Sequence, residues 1–351
     1  MRTSTFLLAG ATLLTACASV TTSEDAALLA RAQQTFKPLP ADAGTAQYTL
    51  GKDRVELGRA LFFEPRLAVD DRISCATCHQ PSFYGAEPLA LSIGPNGKVL
   101  PRNTPTIFNT ALQFSQHYGG NRVDVEDQAV RAMMSPFAYQ QKDMAAAEAK
   151  LRSLPGYRPL FDKAFPGDAD PVTLKNMGTA IGAYERVLLT PAPFDRYLKG
   201  DTNAIGVQAR RGLDKFMTTG CSACHNGVLV GGQSYQKFGV TADYWTLTGS
   251  KQSEIFKGYD KGRFQDTKNE GDSFMFKVQQ LRNVAVTPPF FHDGSVAKLD
   301  DAVRIMGKLQ LGRDLGTADV ADIVAFLESL TGEVPASFAN APILPVSANA
   351  R

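Results

Sequence analysis

Two short motifs place two thiols and an imidazole in the same frame twice: Cys75-Ala76-Thr77-Cys78-His79 and Cys221-Ser222-Ala223-Cys224-His225. Thiols at this spacing can each add to a haem vinyl group, and the adjacent His then lies under the iron as an axial ligand. Four cysteines could instead form disulfides in an exported chain, or a zinc site. Neither explains why His follows the second Cys both times in a chain with only four His. The spacing therefore predicts two covalent haem c groups, with His79 and His225 as axial ligands.

What fills the other axial position decides the chemistry. A strong ligand such as Met makes an electron-transfer centre of raised potential, whereas an open position admits peroxide or oxygen. His117 and His292 are the remaining imidazoles, and Met133, Met134, Met144, Met177, Met217, Met275 and Met306 the internal thioethers. Spacing alone does not choose among them, because Met is a common filler of apolar cores.

The elements that must hold these groups read as helices. Val55–Phe62 and Ala209–Phe216 precede the two motifs and resemble each other, each with apolar positions three or four apart. Met144–Leu154 is rich in helix formers. Thr173 and Thr317 are placed to cap helices with broad apolar faces, and Gly332 to stop the second. Residues 227–232 read as loop. The fold class expected is mainly α, with two cytochrome c-like domains each carrying one covalent haem. Pro191, Pro193 and Gly200 mark the boundary, giving an N-terminal haem domain over 51–190 and a C-terminal one over 191–332. The Pro- and Ala-rich stretch over 333–351 reads as a surface tail.

The fifth cysteine stands apart. Arg2, the apolar run Phe6–Leu14 and Leu14-Thr15-Ala16-Cys17 read as an export signal over 1–16. The last four also resemble a bacterial lipobox, which makes Cys17 the lipidated first residue of the mature chain. Ala18 after it favours the outer membrane over inner-membrane retention. Residues 17–50 then read as a tether, with room for a helix over Ala26–Phe36. The expected location is the periplasm, with membrane contact only through the lipid anchor. Lys plus Arg number 37 against 35 Asp plus Glu, so no basic excess points to nucleic acid.

Several further stretches carry a family likeness: Arg102-Asn103-Thr104-Pro105-Thr106, Glu126-Asp127-Gln128-Ala129, Leu281-Arg282-Asn283-Val284, Thr287 to Ser295, and Ala302 to Gly307. With the haem motifs, they make residues 55–332 resemble the bacterial di-haem cytochrome c peroxidases, a family that includes the MauG maturation enzymes. The resemblance implies reduction of hydrogen peroxide at the His79 haem, with electrons entering from a small cytochrome c or cupredoxin. It implies that Met306 is the second ligand of the His225 haem, where MauG has Tyr. It implies a calcium ion held by Asn103, Thr287 and Pro289, the last two through backbone carbonyls as suits a hard cation. It implies Gln128 as a distal hydrogen-bonding group, His292 near the haems, and a homodimer.

The first half departs from the family. The distal His of the peroxidases falls on Pro95, which cannot ligate, and the inter-haem Trp falls on Tyr118. The distal Glu falls on Ala138, and no acid lies between Asp127 and Asp143. A positioned acid is typically worth about 10²–10⁴-fold in rate, so this position bears directly on activity. His117 is a substitute acid or ligand by position. Two further readings follow: a MauG-like oxidase of a partner protein or other substrate, and an electron carrier in which Met133 or Met134 closes the first haem.

Overall fold

A computed structural model describes residues 11–346, with side chains from residue 23 onward. The export-signal residues Arg2 and Phe6–Gly10 lie outside the described residues, as does the Cys17 side chain. The chain is mainly helical: α1 (Ala11–Thr35), α2 (Lys52–Phe62), α3 (Cys75–Cys78), α4 (Val125–Ala132), α5 (Met144–Ser153), α6 (Arg158–Ala164), α7 (Leu174–Glu185), α8 (Pro193–Leu198), α9 (Val207–Thr219), α10 (Tyr244–Thr248), α11 (Phe264–Thr267), α12 (Leu299–Leu311), α13 (Thr317–Glu328) and α14 (Ala336–Ala339). Two three-residue strands, β1 (Tyr235–Lys237) and β2 (Met275–Lys277), pair antiparallel.

The two look-alike segments ahead of the haem motifs use one packing device. In α2, Gly58 lies so close to the Ala180 carbonyl of α7 that a Cβ would overlap it. In α9, Gly212 meets the Asp322 carbonyl of α13 in the same way. Only a residue without a side chain permits helices to cross at this separation. Four residues on, Phe62 and Phe216 each reach the cavity described below.

Each helix pair sits in its own apolar cluster. Leu57, Leu61, Phe62, Met177, Ile181 and Tyr184 belong to one. Leu213, Phe216, Val320, Ile323, Phe326 and Leu327 belong to the other. Buried polar groups bind the two together. Thr190 Oγ1 accepts from Asn109 Nδ2 at 2.9 Å and from Asn283 Nδ2 at 2.8 Å. Gln280 Nε2 donates to the Phe108 carbonyl at 2.8 Å, and the Asn103 amide donates to the His292 carbonyl at 2.8 Å. Fully buried Arg282 makes a bidentate pair with Asp195 at 2.8 and 2.9 Å.

Three sequence expectations need correction. The stretch after residue 17 is no free tether from residue 28 onward. Leu28, Ala32 and Phe36 are buried, Phe36 packs edge-on to Phe194 at 5.5 Å, and the Leu39 amide donates to Asp195 at 2.7 Å. The C-terminal stretch is no surface tail: Phe338 of α14 is fully buried, with ring centroids 5.8 Å from Phe62 and 5.1 Å from Phe108. Both segments are rich in small residues, and a few buried apolar side chains, Leu28, Ala32 and Phe36 in one and Phe338 in the other, suffice to dock them. Finally, Gly316 rather than Thr317 occupies the cap position of α13. Thr173 does cap α7, accepting from the Asn176 amide at 3.1 Å. Among the described residues, no helix is long and apolar enough to cross a membrane.

Candidate haem sites

The haem motifs are built locally. Within α3, Thr77 Oγ1 accepts from the Ser74 amide at 3.0 Å, and the His79 amide donates to the Cys75 carbonyl at 2.9 Å. The second motif repeats the turn, with the His225 amide 3.0 Å from the Cys221 carbonyl. One helical turn thus brings both thiols and the imidazole to one side.

That side is a continuous cavity of about 1290 Å³, lined by all four thiols, His79 and His225. A site for one small molecule spans about 300–1,000 Å³, so this one has room for more than a single group. None of the four cysteines is in a disulfide. Burial pushes the Cys75 and Cys78 thiols up to about 12, which keeps them uncharged. Among the described residues, no group of three or more His, Cys, Asp or Glu is placed to hold a metal ion, which disfavours zinc.

Both imidazoles are oriented for ligation. His79 Nδ1 lies 2.9 Å from the Gly85 carbonyl, and His225 Nδ1 lies 3.4 Å from the Val230 carbonyl. A carbonyl at Nδ1 places the proton there and leaves Nε2 bare for a metal, the usual arrangement of a ligating His. Burial lowers both imidazoles from their ordinary range, His225 to about 4, so both are neutral. Thiols, imidazoles and cavity together fit haem c at each motif.

The other expected residues also reach this cavity. Met306 of α12 lines it, as do Gln128 of α4, Tyr118, His117, Asn103, Thr287 and Pro289. Met134 lines it too, whereas Met133 is wholly buried in the first apolar cluster. Tyr118 is buried, its hydroxyl only 3.5 Å from the Phe291 carbonyl, and burial raises its phenol far above the usual range. His117 adopts a left-handed backbone (φ 67°), and its Nδ1 pairs with Asn121 Oδ1 at 2.7 Å. Burial pushes it down to about 4, so it holds no ring proton to spare at neutral pH. Asn103 Nδ2 donates to the Leu89 and Ala90 carbonyls at 3.0 and 3.2 Å, leaving its Oδ1 as the free acceptor. His292 is enclosed by aromatic rings, with Nε2 buried and without a hydrogen-bond partner among the described residues.

Two groups escaped sequence reasoning. Three carboxylates line the cavity: Asp143, Glu185 and Asp266. Asp143 accepts from the Ala146 amide, and Asp266 from Asn121, at 2.8 and 2.7 Å. Glu185, at the end of α7, is buried and makes no side-chain hydrogen bond among the described residues. Burial, helped by the nearby Glu126 charge, raises it to about 8, so it is protonated at neutral pH. The adjacent Arg186 is clamped to Glu126 of α4 at 2.7 and 2.9 Å, which fixes where α7 ends. Lys277 of β2 is the second such group, buried yet lining the cavity. No local motif marks either residue; only helix and strand packing brings them to the cavity.

Comparison with known proteins agrees with this geometry. The family described as di-haem cytochrome c peroxidase matches residues 52–203. A cytochrome c551 peroxidase of Pseudomonas aeruginosa is 40% identical over 99% of this chain and 97% of its own length. A cytochrome c551 peroxidase of Nitrosomonas europaea is 41% identical over 85% of each chain. The fold is similar to that of a MauG-like protein associated with microbial copper homeostasis, with a TM-score of 0.74, 24% identity, and coverage of 86% of this chain and 97% of that one. Paired Cys-Cys-His turns on one cavity and near-full-length identity lead to the same place: the chain belongs to the di-haem cytochrome c peroxidase family, and its activity is that of an oxidoreductase of the peroxidase kind.

Proposed function

We propose that this chain reduces hydrogen peroxide to water with electrons from a small protein donor, a cytochrome c or a cupredoxin. The observation that carries the reading is the pair of Cys-Cys-His turns opening on one cavity, each His tied through Nδ1 to a carbonyl. Bound haem would supply the redox chemistry, an iron that exchanges single electrons with a donor and with peroxide.

The chain's own residues do the rest. Cys75 and Cys78 anchor one haem and Cys221 and Cys224 the other, one in each of two haem domains. His79 and His225 ligate through Nε2, and Met306 completes the His225 site as the electron-accepting centre. Gln128 offers its amide to peroxide. Glu185 is the cavity acid that carries a proton at neutral pH, and takes the part left empty by Ala138. Tyr118, which lines the cavity that both turns open on, serves electron transfer between the two sites. Asn103 Oδ1 and the carbonyls of Thr287 and Pro289 hold calcium, an uncharged donor set of hard oxygens. The mature protein is placed in the periplasm, lipid-anchored at Cys17 to the outer membrane, and acts as a dimer.

Peroxide-dependent oxidation of a reduced small cytochrome c by the doubly haem-loaded protein tests this, with calcium present and after chelation. Fast turnover that falls on chelation is expected; no turnover with several donors rejects the reading. One observation favours an alternative, an electron carrier without turnover: Met134 lines the cavity and could close the His79 site. Rapid carbon monoxide binding to the fully reduced protein rejects that alternative.

A further inference from the structure

Lys277 is 3% exposed, yet its ammonium forms no hydrogen bond and no ion pair among the described residues. It lines the cavity rather than the outer surface. A buried cation without a partner is costly, and natural proteins pair such groups. Burial alone lowers this amine to about 7. The position is built, not accidental. Lys277 closes β2 opposite Tyr235 of β1, and its amide donates to the Tyr118 carbonyl at 2.8 Å. Two residues on, the Gln279 carbonyl faces the His225 imidazole. Lys277 therefore stands where the segment carrying His117 and Tyr118 meets the strand that runs to the second haem motif.

The surroundings are positive as well. Lys277, Arg122 and Arg102 all depress the protonation of His117, after burial itself. The acids nearby are already engaged: Asp260 by Arg102 at 2.6 Å, and Asp266 by Asn121 at 2.7 Å. Neither pairs with Lys277. The missing anion must come from what fills the cavity, and each haem brings two carboxylates.

We propose that Lys277 is the buried counter-ion of a haem propionate, and a positioning residue that fixes that haem's orientation and raises its potential. The inference rests on the two-haem reading above. A fixed positive charge beside a haem disfavours the oxidised, more positive state, so removing it lowers the potential. Without haem, burial leaves the amine only partly charged near neutral pH; the incoming carboxylate restores its full charge.

The test compares the holoprotein with Lys277→Gln and Lys277→Arg. Haem content is counted by pyridine haemochrome, propionate bending bands are read by resonance Raman, and midpoint potentials come from spectroelectrochemical titration. In Lys277→Gln we expect shifted propionate bands and a lower potential for one haem, with Lys277→Arg near wild type. Two haems with wild-type bands and potentials in Lys277→Gln would overturn the proposal. Should Lys277→Gln fail to load both haems, Lys277→Arg decides. Full loading with wild-type bands supports the charge pairing, and loading as poor as that of the glutamine variant refutes it. A wild-type chain with fewer than two haems would refute the two-haem reading instead.

Discussion

At the residue scale, the chemistry turns on which acid holds a proton beside the haem cavity. His117 stands next to Tyr118 but is neutral at pH 7, because burial holds its imidazole near 4. Glu185 is the reverse case, a carboxyl raised to about 8 and therefore protonated at pH 7. Acting as the general acid, it is active below that value and loses its proton as pH rises through it. Turnover is expected to fall above pH 8 in the wild type. Glu185→Gln is expected to lower kcat by about 10²–10⁴-fold and to remove this alkaline limb. The kcat–pH profiles of both proteins, at equal haem loading, check it; superimposable profiles would discard Glu185 as the acid.

At the element scale, the haem turns hang on two helix crossings of the same design. α2 meets α7 at Gly58, and α9 meets α13 at Gly212, each glycine against a backbone carbonyl that cannot move aside cheaply. Gly58→Ala and Gly212→Ala are each expected to destabilise the protein by about 1–3 kcal/mol through overpacking. The gain in helix propensity from Ala is smaller and does not offset this. Thermal unfolding followed by circular dichroism tests the pair, and an unchanged or raised Tm in either variant would contradict the close-crossing argument. The likeness of Val55–Phe62 to Ala209–Phe216 was legible in the sequence. Its reason was not, since a glycine in a helix acquires meaning only from the backbone it touches.

At the scale of the whole molecule, the two ends of the chain are structural parts. Phe36 enters the cluster built on α9 and α13, and Phe338 enters the one built on α2 and α7. Phe338→Ala is expected to cost about 3–5 kcal/mol, as for other fully buried aromatics. Fully exposed Ile343 serves as the control, and Ile343→Ala is expected to stay within about 0.5 kcal/mol. Denaturant titration measures both; equal midpoints for the two variants would mean that the tail contributes nothing. Composition misled here because Ala and other small residues abound in both segments, whereas docking needs only a few apolar side chains that find pockets made by distant helices.

The sequence by itself determined the two Cys-x-x-Cys-His turns, the helical character and the family. Cys, Cys and His lie within one turn, so their spacing alone carries the chemistry, and helix periodicity is likewise local. Met306, Gln128, Tyr118, Asn103, Thr287 and Pro289 could be named in advance only through family likeness, and all of them reach the cavity. Tertiary structure alone decided the rest: that both motifs open on one cavity, that Glu185 and Lys277 face into it, that His117 is neutral, and that the termini pack. Each of these depends on burial or on contact between residues far apart in the chain. Burial sets the cost of a charge, and no local spacing encodes it.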